Sequence, residues 1–155
     1  MSFKKLITYF LIFLIINFLT LFTGISLYGE GGTSSWYMNL NRAPWEPPGW
    51  VFGAAWSSIM IFFALYMSYC WYKVKMKILP IYLIQLILNI SWNPVFFRYH
   101  YILLGLLIII LLATVITFML YKYWSEIKLR SILILPYLIW LVIAISLNGY
   151  TFIYN

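Results

Sequence analysis

Residues 103–113 read L-L-G-L-L-I-I-I-L-L-A, a stretch without a single polar side chain. A strand of a membrane β-barrel would alternate apolar and polar residues over ~10 positions, and this stretch does not alternate. It lies within an apolar run at 101–121, and ~20 such residues are what a helix needs to cross ~30 Å of hydrocarbon. The stretch therefore predicts a transmembrane helix.

Four more apolar runs extend this prediction along the chain. They cover residues 6–27, 48–72, 78–97 and 131–152. The chain of 155 residues is 65% hydrophobic and 8% charged with a mean hydropathy of +0.95, and a soluble domain could not cover so much apolar surface. We therefore expect an all-α integral membrane protein, a bundle of five transmembrane helices forming a single domain over residues 1–155, with a loop at 28–47.

The first run is expected to stay in the protein as a helix. Its apolar core is longer than the ~7–15 residues of a signal peptide, and no A-x-A-like cleavage site follows it. The basic residues set the orientation of the five expected helices through the positive-inside rule. Only Arg42 and Arg98 fall on one side, whereas the other side carries Lys4, Lys5, Lys73, Lys75, Lys77, Lys122, Lys128 and Arg130. This predicts a cytoplasmic N-terminus and an external C-terminus.

Ionisable side chains that could do chemistry are scarce. The chain has three acids, Glu30, Glu46 and Glu126, and one histidine, His100, all in expected loops or at helix ends. Paired-carboxylate catalysis, a histidine-based triad and a metal site each need several such groups in one place. We expect no metal site, and we interpret His100 as an interfacial loop residue. No basic face with interleaved aromatics lies outside the membrane, so nucleic acid is not expected as a partner.

Uncharged polar residues in the spans are more informative. Gln85, Asn89 and Asn93 recur every four positions, which places them on one side of a helix. A carboxamide facing lipid would lack hydrogen bonds, so this stripe should face protein or a cavity. Interhelical hydrogen bonding and ligand binding both remain open for it. Asn148, near the outer end of the last helix, belongs to the same class.

Three tryptophans lie too deep for an interfacial aromatic belt. Counting from the outer ends of their helices places Trp56, Trp92 and Trp140 roughly 9–18 Å into the membrane. Trp36, Trp45, Trp50, Trp71 and Trp124 lie in loops or near span ends, where such a belt accounts for them. Buried indoles beside carboxamides suit a flat, apolar, partly polar ligand. The deep tryptophans therefore favour a pocket in the outer half of the bundle.

Three motifs in register carry a family resemblance. They are W-Y-x-x-L-x-R at 36–42 running into W-E-P-P-G-W-V-F-G at 45–53, Q-L-x-L-N-x-x-W-N-P-V-F-F at 85–97, and P-Y-L-I-W-L-V-I-A at 136–144 with L-N at 147–148. The chain resembles the translocator proteins, also called tryptophan-rich sensory proteins, and in particular their bacterial members. The resemblance implies a homodimer of five-helix bundles in the bacterial cell membrane. It also implies a pocket for porphyrins, such as protoporphyrin IX or haem-type tetrapyrroles, under a lid made by the first loop.

The resemblance also assigns residues and roles. The expected ligand-binding residues are Tyr37, Trp45, Pro47, Trp56, Gln85, Asn89, Trp92, Phe96, Trp140, Ala144 and Asn148. Ala144 matches a small pocket residue, and Ile109 on the fourth helix is expected to face lipid. The implied function is a membrane receptor or transporter-like protein for porphyrins and other flat hydrophobic ligands, with a sensory or tetrapyrrole-regulating role and no required cofactor.

Two other functions stay open at this point. The alternative is an enzyme that degrades porphyrin in a light- and oxygen-dependent reaction, with Trp56 and Trp140 as candidate catalytic residues. A structural scaffold without a ligand is the third possibility. Lipids are the remaining expected partners. The Gly49, Gly53, Ser57 spacing could pack a helix closely, either within the chain or across a dimer.

Overall fold

The computed structural model describes residues 2–155, and these residues form helices and turns with no strand among them. The α-helices are α1 (Phe3–Leu27), α2 (Ser35–Met38), α3 (Gly49–Val74), α4 (Leu79–Asn93), α5 (Ile102–Ile127) and α6 (Leu135–Tyr154). Short 3-10 turns cover Gly31–Thr33, Lys75–Ile78 and Lys128–Ile134, and a π-helical turn covers Pro94–Arg98. The prediction of an all-helical membrane protein is confirmed.

The predicted count of five transmembrane helices is wrong. Three continuous helical stretches are long and apolar enough to cross a membrane, Phe3–Thr33, Gly49–Arg98 and Ile102–Tyr154. Four α-helices have 20 residues or more, whereas α4, within the predicted span 78–97, has only 15. Proline lacks the N–H that continues an α-helix, and the α-helical hydrogen bonding of α4 ends just before Pro94. The expected loops at 73–77 and 122–130 are instead helical turns that join neighbouring helices.

Two of these turns fold the chain back on itself. Lys75 has φ of 46° and Lys128 has φ of 51°, which breaks the α-helical path, and Pro80 and Pro136 then occupy the first turns of α4 and α6. Beyond the turns, the rings of Tyr82 and Tyr137 lie 6.1 Å and 5.3 Å from the ring of Phe63 on α3. After the turns, α4 packs against α1 and α5 and reaches α3 through Tyr82, whereas α6 packs against α5 and α3.

The core is apolar with a few paired polar side chains. The Tyr66 hydroxyl donates to the Met119 carbonyl at 2.9 Å, which ties α3 to α5. Asn17 on α1 is buried, donates to the Met60 carbonyl at 3.2 Å and accepts from the Tyr82 hydroxyl at 2.8 Å. Large apolar side chains cover the outside, among them Ile15, Leu107, Ile139 and Val142. An apolar exterior around a sparsely polar interior is what lipid surroundings require.

The two ends of the molecule differ in charge. The basic end carries Lys4, Lys5, Lys73, Lys75, Lys77, Lys122, Lys128 and Arg130, all of them exposed. The Tyr123 hydroxyl donates to the Lys77 carbonyl at 3.3 Å, which joins the first of the turns at this end to α5. The opposite, lid end carries residues 28–47, which we call the lid loop, and the end of α6.

Candidate ligand-binding site

A cavity of about 1060 Å³ lies beneath the lid loop, and we call it the lid cavity. Its lining comes from α1, the lid loop, the first turns of α3 and the end of α4, and comprises Leu21, Ile25, Tyr28, Gly32, Thr33, Tyr37, Leu40, Arg42, Ala43, Glu46, Pro47, Pro48, Gly49, Phe52, Gly53, Trp56, Ser57, Trp92, Asn93 and Phe97. Sites for small molecules span about 300–1,000 Å³ and are mostly apolar with a few polar groups, so this cavity has a suitable size and lining.

The glycines of α3 leave room in this cavity. Gly49, Gly53 and Ser57 all line it, and none of them carries a large side chain that would fill it. A Cβ atom built at Gly49 or Gly53 would meet nothing within 4 Å. The three small residues noted in the sequence therefore leave the cavity wider than larger residues would.

The charged residues of the lid cavity neutralise each other. Arg42 Nη1 and the Tyr37 hydroxyl donate to Glu46 Oε1 at 3.1 Å and 2.7 Å, and the guanidinium carbon lies 5.2 Å from the centre of the Tyr37 ring. Burial and the neighbouring Glu46 carboxylate raise the pKa of the Tyr37 phenol, so it stays protonated and donates. The cavity therefore offers one neutral, hydrogen-bonded polar cluster in an otherwise largely apolar lining.

Aromatic stacking fixes the start of the lid loop. The Trp36 ring stacks on His100 with centroids 4.0 Å apart, and it meets Phe96 edge-on at 5.7 Å. Ser34 caps α2 by accepting from the Tyr37 N–H. His100 thus lies in the loop between α4 and α5, as interpreted from the sequence, with its ring against the lid. The stacking holds Tyr37 over the cavity.

The end of the lid loop is held by α6. Trp45 Nε1 donates to Ser146 Oγ at 3.2 Å, and its ring meets Tyr150 edge-on at 5.3 Å. Asn41 exchanges hydrogen bonds with Asn155 near the end of α6. The lid is therefore fastened to the last helix as well as to the loop after α4.

A second, much smaller cavity lies deeper in the bundle, and we call it the inner cavity. It measures about 20 Å³ and is lined by Phe52, Trp56, Asn89, Trp92, Ile109, Leu112, Trp140, Leu141, Ala144, Leu147 and Asn148. Trp92 Nε1 and Asn148 Oδ1 are buried without a hydrogen-bond partner among residues 2–155. These residues add one free donor and one free acceptor to a mostly apolar lining, around a space about the size that a single water needs.

The carboxamide stripe serves two purposes. Gln85 Nε2 donates to the Tyr137 hydroxyl at 2.8 Å and Asn89 Nδ2 donates to the same oxygen, which ties α4 to α6. Asn89 also lines the inner cavity, and Asn93 lines the lid cavity. Interhelical hydrogen bonding accounts for Gln85, whereas the other two carboxamides border space that a ligand could enter.

Comparison with known proteins decides the family. Residues 8–153 match the pattern that defines the TspO/MBR family. The chain belongs to the TspO/MBR family. The tryptophan-rich sensory protein of Cereibacter sphaeroides is 32% identical over 114 residues, 73% of this chain and 72% of that protein. Protein CrtK of Rhodobacter capsulatus is 29% identical over 119 residues, 74% of each chain, and the human translocator protein is 30% identical over 129 residues, 79% of this chain and 75% of that one.

This TspO/MBR chain distributes the predicted site residues over both cavities. The lid cavity receives Tyr37, Pro47, Trp56 and Trp92. The inner cavity receives Trp56, Asn89, Trp92, Trp140, Ala144 and Asn148. Trp56 and Trp92 line both, as does Phe52, so these three side chains form the partition between the two spaces. Ile109, expected to face lipid, is buried and lines the inner cavity.

Three predicted site residues of the TspO/MBR chain line neither cavity. Trp45 is 55% exposed and fastens the lid to α6. Gln85 is buried in the Tyr137 network, and Phe96 is buried beneath Trp36 with its ring stacked 5.9 Å from that of Trp92. These three side chains therefore contact residues around the site and do not line either cavity.

Four other residues at the site were not predicted from the sequence. Arg42, Glu46 and Phe52 line the lid cavity, and Tyr137 accepts from both carboxamides. For Tyr137 the available signal was a tyrosine immediately after Pro136, at the start of an apolar run that continues to Ile145. No group of three or more histidine, cysteine or acidic side chains that could hold a metal ion occurs among residues 2–155.

Proposed function

We propose that this TspO/MBR protein is a membrane receptor for porphyrins, such as protoporphyrin IX and haem-type tetrapyrroles, and for other flat hydrophobic ligands. The lid cavity of about 1060 Å³ carries the proposal, because it is large enough for such a ligand and lies under a fastened lid. Relatives named tryptophan-rich sensory protein and translocator protein support a sensory role.

The lining of the lid cavity suits a planar ring. Phe52, Trp56 and Trp92 offer aromatic surfaces from α3 and α4, and aromatic faces pack well against flat conjugated molecules. Asn93 and the Arg42–Glu46 pair offer polar contacts at other points of the lining. A ligand with a flat apolar body and polar substituents would satisfy both kinds of surface.

Contact with the deeper residues requires the partition to move. Trp140, Ala144 and Asn148 border only the inner cavity, which is too small for a porphyrin. Neither Trp56 nor Trp92 makes a hydrogen bond from its indole within the described chain, so packing alone holds these rings. We propose that a large ligand displaces them and joins the two cavities.

The basic end gives the orientation that we propose. Eight exposed cations lie at this end, the N-terminal lysines among them, and the positive-inside rule places such an end in the cytoplasm. The lid, the cavity and the end of α6 would then face outward, in a bacterial cell membrane. A homodimer, implied by the resemblance, stays a prediction.

Titration of the purified protein with protoporphyrin IX in the dark, followed by tryptophan fluorescence quenching, tests the proposal. We expect saturable binding that weakens ~5- to 150-fold in Trp56→Ala, since a buried aromatic contact contributes ~1–3 kcal/mol. Trp124→Ala is the matched control, because Trp124 is half-exposed and lies on α5 beside the basic end. Absence of saturable binding would favour a scaffold.

Illumination of the same complex separates the receptor from the alternative enzyme. Pigment that stays unchanged with and without oxygen supports a receptor. A new product that forms only in light and oxygen, and at a reduced rate in Trp56→Phe and Trp140→Phe, supports porphyrin degradation. If the same amount of product forms without the protein, the reaction is photo-oxidation of the free pigment and is not catalysed by the protein.

A further inference from the structure

The basic end repeats one short motif at the two turns that fold the chain back. The turns present Lys75-Met76-Lys77 and Lys128-Leu129-Arg130. Their backbones match: Lys75 has φ 46° and ψ −126°, and Lys128 has φ 51° and ψ −126°. This region favours glycine. A lysine in this conformation at both turns indicates that its side chain has a use that glycine could not supply.

The cations of this end have no acidic partners. The one ion pair within residues 2–155 is Arg42–Glu46, at the lid end. Arg130 and Lys122 instead lie over aromatic rings, with Arg130 Cζ 4.6 Å from the Tyr69 centroid and Lys122 Nζ 5.6 Å from that of Tyr123. A cation on a ring face keeps its N–H donors free for other acceptors. Glu126 is the one acid at this end and forms no ion pair, so the basic end presents a large net positive charge and unused donors.

Each turn also exposes an apolar side chain between its two cations. Met76 is 63% exposed and Leu129 is 74% exposed. Tyr72 and Trp124, which are partly exposed on the helices leading into the turns, add the aromatic character of a membrane interface. A soluble polyanion would recognise the charges alone. A lipid would use both, with its phosphate on the cations and its acyl chains against the apolar side chains.

We propose that the two turns form a binding surface for the headgroup of an anionic phospholipid. Lys75, Lys77, Lys128 and Arg130 hold the phosphate, and Met76 and Leu129 enter the boundary between headgroups and acyl chains. The Tyr123 hydroxyl, bonded to the Lys77 carbonyl, joins the first turn to α5, which leads into the second. The surface is independent of the lid cavity and lies at the opposite end of the molecule.

Native mass spectrometry of the full-length protein tests this surface. The protein is reconstituted in mixed phosphatidylcholine and phosphatidylglycerol, extracted, and scored for the ratio of the two lipids that stay bound. The variant is the double substitution Lys75→Gly, Lys128→Gly, which removes two charges at positions where glycine is the easier residue, so folding is preserved. We expect the preference for phosphatidylglycerol to fall about fivefold for each lysine removed.

Lys4→Gln, Lys5→Gln is the control, because it removes the same charge from the same end but outside the turns. A preference that is unchanged in the glycine variant, or that falls equally in the control, would overturn the proposal in favour of diffuse surface charge. Met76→Ser, Leu129→Ser separates lipid from soluble polyanion. We expect it to lower phosphatidylglycerol retention while binding of inorganic polyphosphate stays constant, and undiminished lipid retention would reject the lipid as the occupant.

Discussion

Two hydrogen bonds join Asn41 to Asn155, which are 114 residues apart in the sequence. The Asn41 N–H donates to Asn155 Oδ1 at 2.9 Å, and Asn155 Nδ2 donates to the Asn41 carbonyl at 3.2 Å. Asn41 Nδ2 also donates to the Tyr154 carbonyl at 3.0 Å. These bonds connect the lid loop to the end of α6. Opening the lid at this point requires all three to break.

Replacing Asn155 should therefore loosen the lid without disturbing the cavity. Asn155→Ala removes two hydrogen bonds to the lid, each contributing about 0.5–1.5 kcal/mol. We expect faster amide hydrogen exchange over residues 39–46 and faster release of bound porphyrin in stopped-flow measurements. Asn39→Ala is the control, since Asn39 is an exposed lid residue of the same type. Equal exchange rates in the two variants would show that the asparagine pair does not hold the lid.

Neutralising Glu46 should change which ligands the cavity prefers. In the native chain the Arg42 guanidinium is paired with Glu46, so a ligand carboxylate has to compete with that side chain. Glu46→Gln keeps an acceptor for the Tyr37 hydroxyl but frees the positive charge. Because the pair is partly exposed, an ion pair here is worth only about 0.2–1 kcal/mol.

Protoporphyrin IX and its dimethyl ester, which lacks the carboxylates, give the readout. We expect Glu46→Gln to bind the acid about two- to fivefold more tightly relative to the ester, and this gain should shrink at high salt. Arg42→Gln should reverse the preference. An acid-to-ester ratio that is identical in all three proteins would show that Arg42 does not meet the ligand carboxylate.

The sequence predicts the helical content well because helix formation depends on local pattern. Uninterrupted apolar runs indicate helix, and depth along a helix separated Trp56, Trp92 and Trp140 from the interfacial tryptophans. Pro94 is a signal in the sequence for the end of α4, but the apolar run continues past it to residue 97 and led to a longer predicted helix. Lys75 and Lys128 gave no such signal, since a turn with positive φ is expected at glycine and here uses lysine.

The division of the site into two cavities could not be predicted from the chain. It depends on the side-chain orientations of Trp56 and Trp92, which packing among three helices determines. The Arg42–Glu46 pair also escaped prediction, although its spacing of four is typical of helices, because it forms in a non-helical turn. Contacts such as Asn41 with Asn155 have no local signal at all.

Filling the lid cavity from α3 should block binding. A Cβ atom at Gly53 meets nothing within 4 Å, and the residue lines the cavity, so the ring in Gly53→Phe would extend into the space a ligand needs. Glycine is also a poor helix former, so the substitution should leave the thermal stability of the protein equal or higher. We expect at least a tenfold loss of porphyrin affinity by fluorescence titration.

The matched control for Gly53→Phe is Gly149→Phe on α6. Gly149 also has free space around its Cβ position but lines neither cavity. Its substitution should leave affinity unchanged. If Gly53→Phe binds as tightly as the native protein, the ligand does not occupy the lid cavity.

Ala144 tests whether the inner cavity takes part in binding. It is 7% exposed, lines the inner cavity and lies one turn beyond Trp140 on α6. Ala144→Thr adds a methyl and a hydroxyl group to a space of about 20 Å³, and such overpacking costs about 1–3 kcal/mol. If ligands displace the Trp56–Trp92 partition and enter this space, porphyrin affinity should fall by about 5- to 150-fold with the helical content unchanged by circular dichroism. Val142→Thr, on the same helix but 65% exposed, is the lipid-facing control. Unchanged affinity in Ala144→Thr, together with a loss in Gly53→Phe, would confine the ligand to the lid cavity and leave the tryptophan partition closed.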